Sequence, residues 1–423
     1  MNVEVSAIGA IIGLIVAIIL ILRQVPPVYA LILGALLGGL IGGVGVSETV
    51  KQMIGGAADI MPSVLRILGA GVLAGILIES GAAAKLASSI VGLFGEKRAL
   101  LALTIATMIL TAVGVFVDVA VITVSPIALL IASKTKISRL SILLAMVGGG
   151  KAGNVMSPNP NTIALSDAFR SSLIDIMLAG VIPGIIGMFA TYFIAKMLVN
   201  KGSKIQSEEL DDNNNKRLPS LVNSLIGPLV AIILLTLRPL FGIDIDPIIA
   251  LPLGGLIGVI FMSKVRYTVS YLKIGLDKMA PVAILLIGTG TIAGIIQNSS
   301  IDKLLIHSLE SIGLPSLALA PFSGILMSAA TASTTAGATV ASNVFAPTLL
   351  QTNVSAIGSA AMINSGSTVL DHMPHGSFFH ATAGSVNMNV KERMQLIPYE
   401  SLVGLIIVII STIIYGIIPL FFN

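Results

Sequence analysis

Cysteine is absent from this chain, and charged residues make up only 10% of its 423 positions. The first absence excludes disulfides, thiolate metal sites and cysteine catalysis, and it leaves the redox compartment undetermined. The second excludes an ordinary soluble domain, in which about a quarter of the residues carry charge. A basic n-region is also missing: Glu4 precedes the first apolar run and Arg23 follows it, so a cleaved signal peptide is not expected. What is present instead is apolar sequence, 55% hydrophobic with mean hydropathy +1.00. Windows able to cross a bilayer, each about 20 residues as a helix, recur throughout. The chain therefore reads as one all-α polytopic membrane unit in the cell membrane, with the lipid bilayer as its surroundings. A net charge of +4 does not imply a nucleic-acid partner, because the basic residues sit in short loops where they orient the spans.

Spans are expected near 7–22, 28–43 and 60–78, followed by an amphipathic piece at 81–93, then spans at 99–115 and 119–132, a broken span at 140–165 and a long one at 174–198. A polar linker over 200–217 divides a first repeat, 1–199, from a second, 218–423. The repeat shows in GAGVLAGILIES from Gly69 and GTGTIAGIIQNS from Gly288, which share six of twelve positions at an offset of 219 residues (288 − 69). Loop charges support an inverted relation, since equivalent loops should lie on opposite faces and only the cytoplasmic one should be basic. Lys97 with Arg98 answers to uncharged 313–315, and 47–53, with one lysine, answers to 263–273, with Lys264, Arg266 and Lys273. About 12 to 14 transmembrane helices follow, with the linker cytoplasmic and both termini outside.

Two stretches break otherwise apolar sequence: VGGGKAGNVMSPNPNT from Val147 and MINSGSTVLDHMPHGSFFH from Met362. Broken backbone at membrane depth survives only where protein or a watery cavity surrounds it. Ionisable groups there are costly and are functional candidates. Lys151, beside unwound backbone and half-helix ends, suits a carboxylate, or it snorkels from a helix end. Asn154, Ser157, Asn159, Asn161 and Thr162 offer neutral donors and acceptors for hydroxyl groups, and Pro158 and Pro160 forbid a regular helix. Ser367 and Thr368 supply the same chemistry in the second copy. Asp371, His372 and His375 form a proton-handling set, because histidine titrates near neutrality beside a carboxylate. Their DHMPH spacing lacks the helical HExxH pattern, so no metal is assigned. Asp118 is a lone acid in an apolar span that could bind a coupling ion or satisfy a backbone break. The hydroxyl-rich run at 331–339 suits binding or close helix packing.

The chain resembles the gluconate permease family of proton-coupled sugar-acid symporters, within the ion transporter superfamily. The likeness runs over nearly the whole length, through LIESGAAAKLASSIVGLFGEKRALLAL from Leu77, the acid-bearing span closed by Pro126, SPNPN from Ser157, GSTVLDH from Gly366 and VKER from Val390. It implies inverted repeats with helical hairpins and discontinuous helices, a transport domain moving against a scaffold, and a homodimer. It adds Ser333 and Thr335 as site hydroxyls. Asn159 stands where the family usually carries histidine, and Pro374-His375 replaces an Asn-Asp pair. The expected function is proton-coupled symport of a small organic anion, a gluconate-like sugar acid or hydroxy acid. In that reading Lys151, Asn154, Ser157, Asn159, Asn161, Thr162, Ser333, Thr335, Ser367 and Thr368 bind substrate, and Asp118, Asp371, His372 and His375 couple the ion. No cofactor is called for beyond the proton gradient, with sodium as the alternative ion. A sodium-coupled di- or tricarboxylate carrier, a sodium–proton antiporter and, more remotely, an intramembrane enzyme are the competing readings.

Overall fold

Apolar sequence punctuated by Gly, Pro and Ser/Asn caps dictates helices that start and stop abruptly, and the computed structural model bears this out over residues 4–95, 98–205, 218–243, 245–299, 316–374 and 376–418. The first half contains α1 (Ala7–Leu22), α2 (Pro27–Ile41), α3 (Val46–Asp59), α4 (Met61–Glu79), α5 (Ala82–Phe94), α6 (Ala99–Ala112), α7 (Val117–Thr135), α8 (Arg139–Asn154), α9 (Pro160–Ala168), α10 (Leu173–Ala179) and α11 (Val181–Met197). The second contains α12 (Leu221–Phe241), α13 (Pro247–Phe261), α14 (Thr268–Gln297), α15 (Leu319–Thr331), α16 (Thr334–Leu349), α17 (Ala356–Gly366), α18 (Ser377–Ser385), α19 (Val390–Met394) and α20 (Ile397–Thr412). Among the described residues there is no strand beyond two isolated bridges. Five helical stretches among the described residues are long and apolar enough to cross a membrane, and shorter apolar helices accompany them.

Local chemistry accounts for the ends. Pro27 and Pro247 open α2 and α13 at a position whose N–H needs no partner. Ser6, Ser138, Asn159, Ser333, Ser355 and Asn389 cap the helices that follow them by accepting a backbone N–H. Two helical hairpins arise where α6 turns into α7 through Gly114, at φ +104°, and where α15 turns into α16 through Ala332 at φ +47°. The broken spans separate as α8 from α9 across 155–159 and α17 from α18 across 367–376.

The inverted repeat is visible as paired backbone contacts. In lipid no hydrophobic force drives helices together, so small residues that let backbones approach decide which helices meet. A Cβ built on Gly275 would lie 2.1 Å from the carbonyl oxygen of Gly71, and one on Gly56 would lie 2.2 Å from that of Gly290. Subtracting the 219-residue offset turns Gly275 into Gly56 and Gly290 into Gly71, so these are the same contact made twice. Gly75 against Tyr271 and Gly294 against Gln52 repeat the relation. Helices α3 and α4 therefore run antiparallel along α14, exchanging equivalent surfaces.

Packing sorts the helices into two groups. A frame is formed by α1–α4 and α12–α14, which pack chiefly on one another. A core is formed by α5–α11 and α15–α20, likewise packed among themselves. The groups meet through narrower contacts, chiefly α14 with α16, α4 with α9 and α5 with α12. On α1 the side chains of Ile8, Ile15, Ile19 and Leu22 are exposed while Ala10, Gly13, Ala17 and Ile21 are buried. That outward apolar stripe is what a lipid-facing helix requires.

Two expectations are corrected. Residues 47–53 are not a loop but part of α3, where Thr49, Gln52, Met53 and Gly56 repeat at helical spacing and are buried. The polar composition hid a face that packs on α14. Likewise 263–273 is only briefly a loop, since a single 3-10 turn over Val265–Tyr267 leads into α14 at Thr268. Lys97, Asp244 and most of the 200–217 linker lie outside the described residues.

Candidate functional site

The two hairpin tips converge on a cavity of about 570 Å³. The α7 tip brings Phe116 to Asp118, and the α16 tip brings Thr331 to Ala336. Asn154 at the end of α8, Asp371 in the second break, Ser377 at the start of α18, and Lys278 with Pro281 on α14 complete the polar part of the wall. Three helices, α7, α16 and α18, thus begin at this cavity and turn their positive dipole ends toward it, α7 and α18 without a side-chain cap. Among the described residues neither Asp118 nor Lys278 has an ion-pair partner.

Behind the wall, charges from both broken spans meet. Lys151 is fully buried, and its Nζ donates to Asp371 Oδ1 at 2.6 Å and to the Thr368 carbonyl at 2.6 Å. Its third contact is His372 Nδ1 at 2.9 Å. The other ring nitrogen, Nε2, lies 3.0 Å from the Ile397 carbonyl and 3.2 Å from Ser401 Oγ. A carbonyl can only accept, so Nε2 carries the hydrogen and Nδ1 of the neutral ring accepts from lysine. Protonation at Nδ1 would convert that attraction into repulsion and aim a new donor at Asp371 Oδ1, 3.1 Å away. Asp371 Oδ2 accepts from Thr334 Oγ1 at 2.5 Å, which ties the second hairpin tip to the cluster.

The buried charges continue beyond the histidine. Glu400 Oε2 lies 3.8 Å from His372 Nδ1, and Glu400 is clasped through both oxygens by Arg393 at 2.5 and 3.0 Å. Arg393 is fully buried, stacks 4.9 Å from the Phe379 ring and also donates to Thr382. With a neutral imidazole the set Lys151, Asp371, Glu400 and Arg393 sums to zero charge, which suits a site removed from water.

The residues expected at the site divide into two classes. Asp118, Asn154, Ser333, Thr335 and Asp371 line the cavity. Lys151, Ser157, Asn159, Asn161, Thr162, Ser367, Thr368 and His372 are buried behind it. Asn159 donates to the Asn154 carbonyl at 2.8 Å and caps α9 through the Thr162 N–H, while Thr162 Oγ1 donates to the Ser157 carbonyl at 2.7 Å. Ser367 and Thr368 donate back to their own helix. Thr335 Oγ1 donates to Asn161 Oδ1 at 2.8 Å, whereas Asn161 Nδ2 and Ser157 Oγ are buried with no protein partner. His375 lies outside the described residues. His380, at an exposed position, meets the Pro374 carbonyl.

Sequence reasoning did not single out Lys278, Thr334, Arg393, Glu400 or Ser401 as site residues. Thr334 belonged to the hydroxyl-rich run already noted. Arg393 stands in the VKER stretch, whose charges resemble those of an ordinary loop, yet its side chain is enclosed. An arginine followed seven residues later by a glutamate inside an apolar window was the available signal. Lys278 carried the weaker signal of standing 219 residues after Asp59.

Comparison with known proteins follows the same lines. The family model described as GntP family permease matches residues 3–418. An uncharacterized transporter of Haemophilus influenzae is 62% identical over 413 residues, covering 98% of this chain and 99% of that protein. The Gnt-II system L-idonate transporter of Escherichia coli is 22% identical over 407 residues, covering 90% of this chain and 92% of that one. Among solved structures, the YdaH transporter of Alcanivorax borkumensis, described as having an unusual topology, superposes with a TM-score of 0.63 over 89% of each chain at 15% identity. At that identity the likeness concerns the fold alone.

Proposed function

The chain belongs to the GntP permease family of multi-pass membrane transporters, and from that premise we propose that it is a proton-coupled symporter for a small organic anion, a sugar acid or hydroxy acid, working by alternating access. The observation that carries this reading is the cavity itself: helix N-termini and hydroxyls face it, a free aspartate and a free lysine share it, and its floor is an aspartate bonded to a buried lysine, with a histidine ring nitrogen 3.1 Å away. Binding an anion there calls for donors and positive potential, which three helix starts and Lys278 provide. The hydroxyl groups of a sugar acid find partners in Asn154, Ser333 and Thr335, with Thr334 and Ser377 beside them. Ser157, Asn159, Asn161, Thr162, Ser367 and Thr368 hold the broken backbone in shape from behind.

Lys151 acts in this scheme through Asp371, holding the floor of the cavity neutral instead of meeting the substrate. Asp118 and the Asp371–His372 pair hold the coupling proton. A proton on His372 Nδ1 weakens the hold of Lys151, and one on Asp118 removes a negative charge that would repel the incoming carboxylate. Either event makes the cavity more favourable to an anion, which is the coupling a symporter needs. The relative named for L-idonate transport supports the sugar-acid class.

The test is uptake of labelled gluconate, L-idonate and small hydroxy acids into proteoliposomes without sodium. An imposed inward proton gradient should drive accumulation that a protonophore collapses. Asp118→Asn and His372→Gln should abolish gradient-driven accumulation while keeping exchange of labelled for unlabelled anion across the membrane. Accumulation that requires sodium, at fixed pH, would overturn proton coupling and point to Asp118 with the Thr331–Thr335 hydroxyls as a sodium site.

A further inference from the structure

A second polar cavity of about 380 Å³ lies where α4, the end of α9 and the start of α13 meet. At its centre Arg66 of α4 is held by two carboxylates from different groups of helices. From the frame, Asp246 receives Nε at 3.1 Å and a second guanidinium nitrogen at 2.6 Å, while also capping α13 through the Ile248 N–H. From the core, Asp167 in the last turn of α9 receives the remaining nitrogen of Arg66 and the hydroxyl of Ser63. The guanidinium fork matches carboxylate geometry, so Arg66 is bound here as it would bind a carboxylate ligand.

The position of this cavity gives that contact a role. Adding the 219-residue offset to Asp59, Pro62 and Arg66, which line it, yields Lys278, Pro281 and Leu285, which line the larger cavity. Asp246 and Pro247, at the start of α13, correspond in the same way to Pro27 and Val28 at the start of α2, and each pair borders its own cavity. The two cavities are equivalent places on the frame, and because the repeats are inverted they face opposite sides of the bilayer. One is met by the hairpin tips. The other is met by the end of α9, which puts an aspartate where the first has the substrate space.

We propose that Arg66 is an anion-receiving residue of the transport cycle, held by the Asp167 carboxylate in the conformation described here and released to the carboxylate of the substrate when the core shifts along the frame. This rests on the transport reading above and extends it by one residue and one state. Asp167 serves as an internal substitute for the ligand, filling the end of the guanidinium fork that Asp246 leaves open. Asp246 stays with Arg66 throughout, since both belong to the frame, and it aims the guanidinium.

Because the chain has no cysteine, one introduced thiol reports on this cavity without background. Ser172→Cys, on the cavity wall, is labelled with a maleimide in detergent-solubilised protein. Asp167→Asn, which keeps the shape, should raise the labelling rate at least threefold; an unchanged rate overturns the latch. In the Asp167→Asn background gluconate should slow labelling and neutral glucose should not. That protection should vanish with Arg66→Gln and return with Arg66→Lys. If gluconate and glucose behave alike, or if Arg66→Gln keeps the protection, Arg66 is a structural ion pair and not a receptor. The ligand-free labelling needs no transport, so its failure is separate from failure of the proteoliposome uptake that tests the function.

Discussion

Asp371→Asn is the perturbation whose consequences can be worked furthest. The substitution keeps shape and volume but leaves the Lys151 ammonium, fully buried, without a counter-charge and with only neutral acceptors around it, the Thr368 carbonyl, His372 Nδ1 and the new amide oxygen. The histidine cannot relieve the loss by taking up a proton, since that would add a second positive charge. The lysine can shed its own. With an ordinary lysine pKa of about 10.4 and about 1.36 kcal/mol per unit, neutralising it at pH 7 costs about 4.6 kcal/mol, and at pH 9 about 1.9 kcal/mol. These are ceilings on the damage, and the first agrees with the roughly 3–5 kcal/mol seen when one partner of a buried pair is removed. The variant should therefore be destabilised by about 3–5 kcal/mol at pH 7, and the gap from the parent should narrow by about 1–3 kcal/mol at pH 9. Adding Lys151→Met removes the stranded charge and should recover all but about 1–2 kcal/mol, the residue of lost hydrogen bonds. Equilibrium unfolding in mixed micelles at both pH values measures this. A deficit that is the same at pH 7 and pH 9, or a double variant no more stable than the single one, would refute the reasoning.

Glu400→Gln gives the contrasting case: Arg393 cannot deprotonate, so its loss of about 3–5 kcal/mol should stay constant from pH 7 to pH 9 in the same assay. Gly275→Val and Gly56→Val place a side chain about 2 Å from the opposing carbonyl oxygen, and overpacking of this kind costs about 1–3 kcal/mol or more. Thermal denaturation of the purified protein should show matched losses for these equivalent positions, whereas Gly92→Ala, which meets nothing within 4 Å, should be neutral or better. Burial alone would raise the Asp246 carboxyl, but the Arg66 guanidinium and the Ile248 N–H outweigh it and hold it below the usual carboxylate range. A depressed folded value means that its stabilisation is complete above the ordinary carboxylate pKa of about 3.9 and is lost as pH falls through the depressed one. The stability difference between the parent and Asp246→Asn should thus be flat from pH 8 to pH 5 and shrink only below about pH 4.

Some of the site was legible because its chemistry is out of place. A lysine between GGG and AGN, or DH after an apolar run, is conspicuous against lipid-compatible sequence, and the two ionisable groups meet, although Lys151 lies in the last turn of α8 and not in unwound backbone, the break beginning only at Val155. Other parts were illegible because their signals resemble ordinary loop composition. Arg393 beside Lys391 and Glu392 looks like a solvated turn, yet the buried Glu400 draws its side chain inward. Thr49 and Gln52 look like loop residues, yet they are buried where α3 packs on α2 and α14.

The sequence by itself determined that the chain lives in a membrane, where its helices start and break, and that one plan is used twice in opposite orientation. Those properties are local or periodic: hydropathy, cap residues, prolines and a repeated glycine pattern are set by neighbours a few residues away or by a fixed offset. Only the tertiary structure decided which polar groups share a space. It turned Lys151 onto Asp371, 220 residues away (371 − 151), and put Lys278 in the cavity wall. It also closed Asp167 and Asp246 on Arg66. Such pairings depend on how close two backbones come and on which face each helix turns inward. That is settled by packing over the whole molecule, and no short stretch of the chain encodes it.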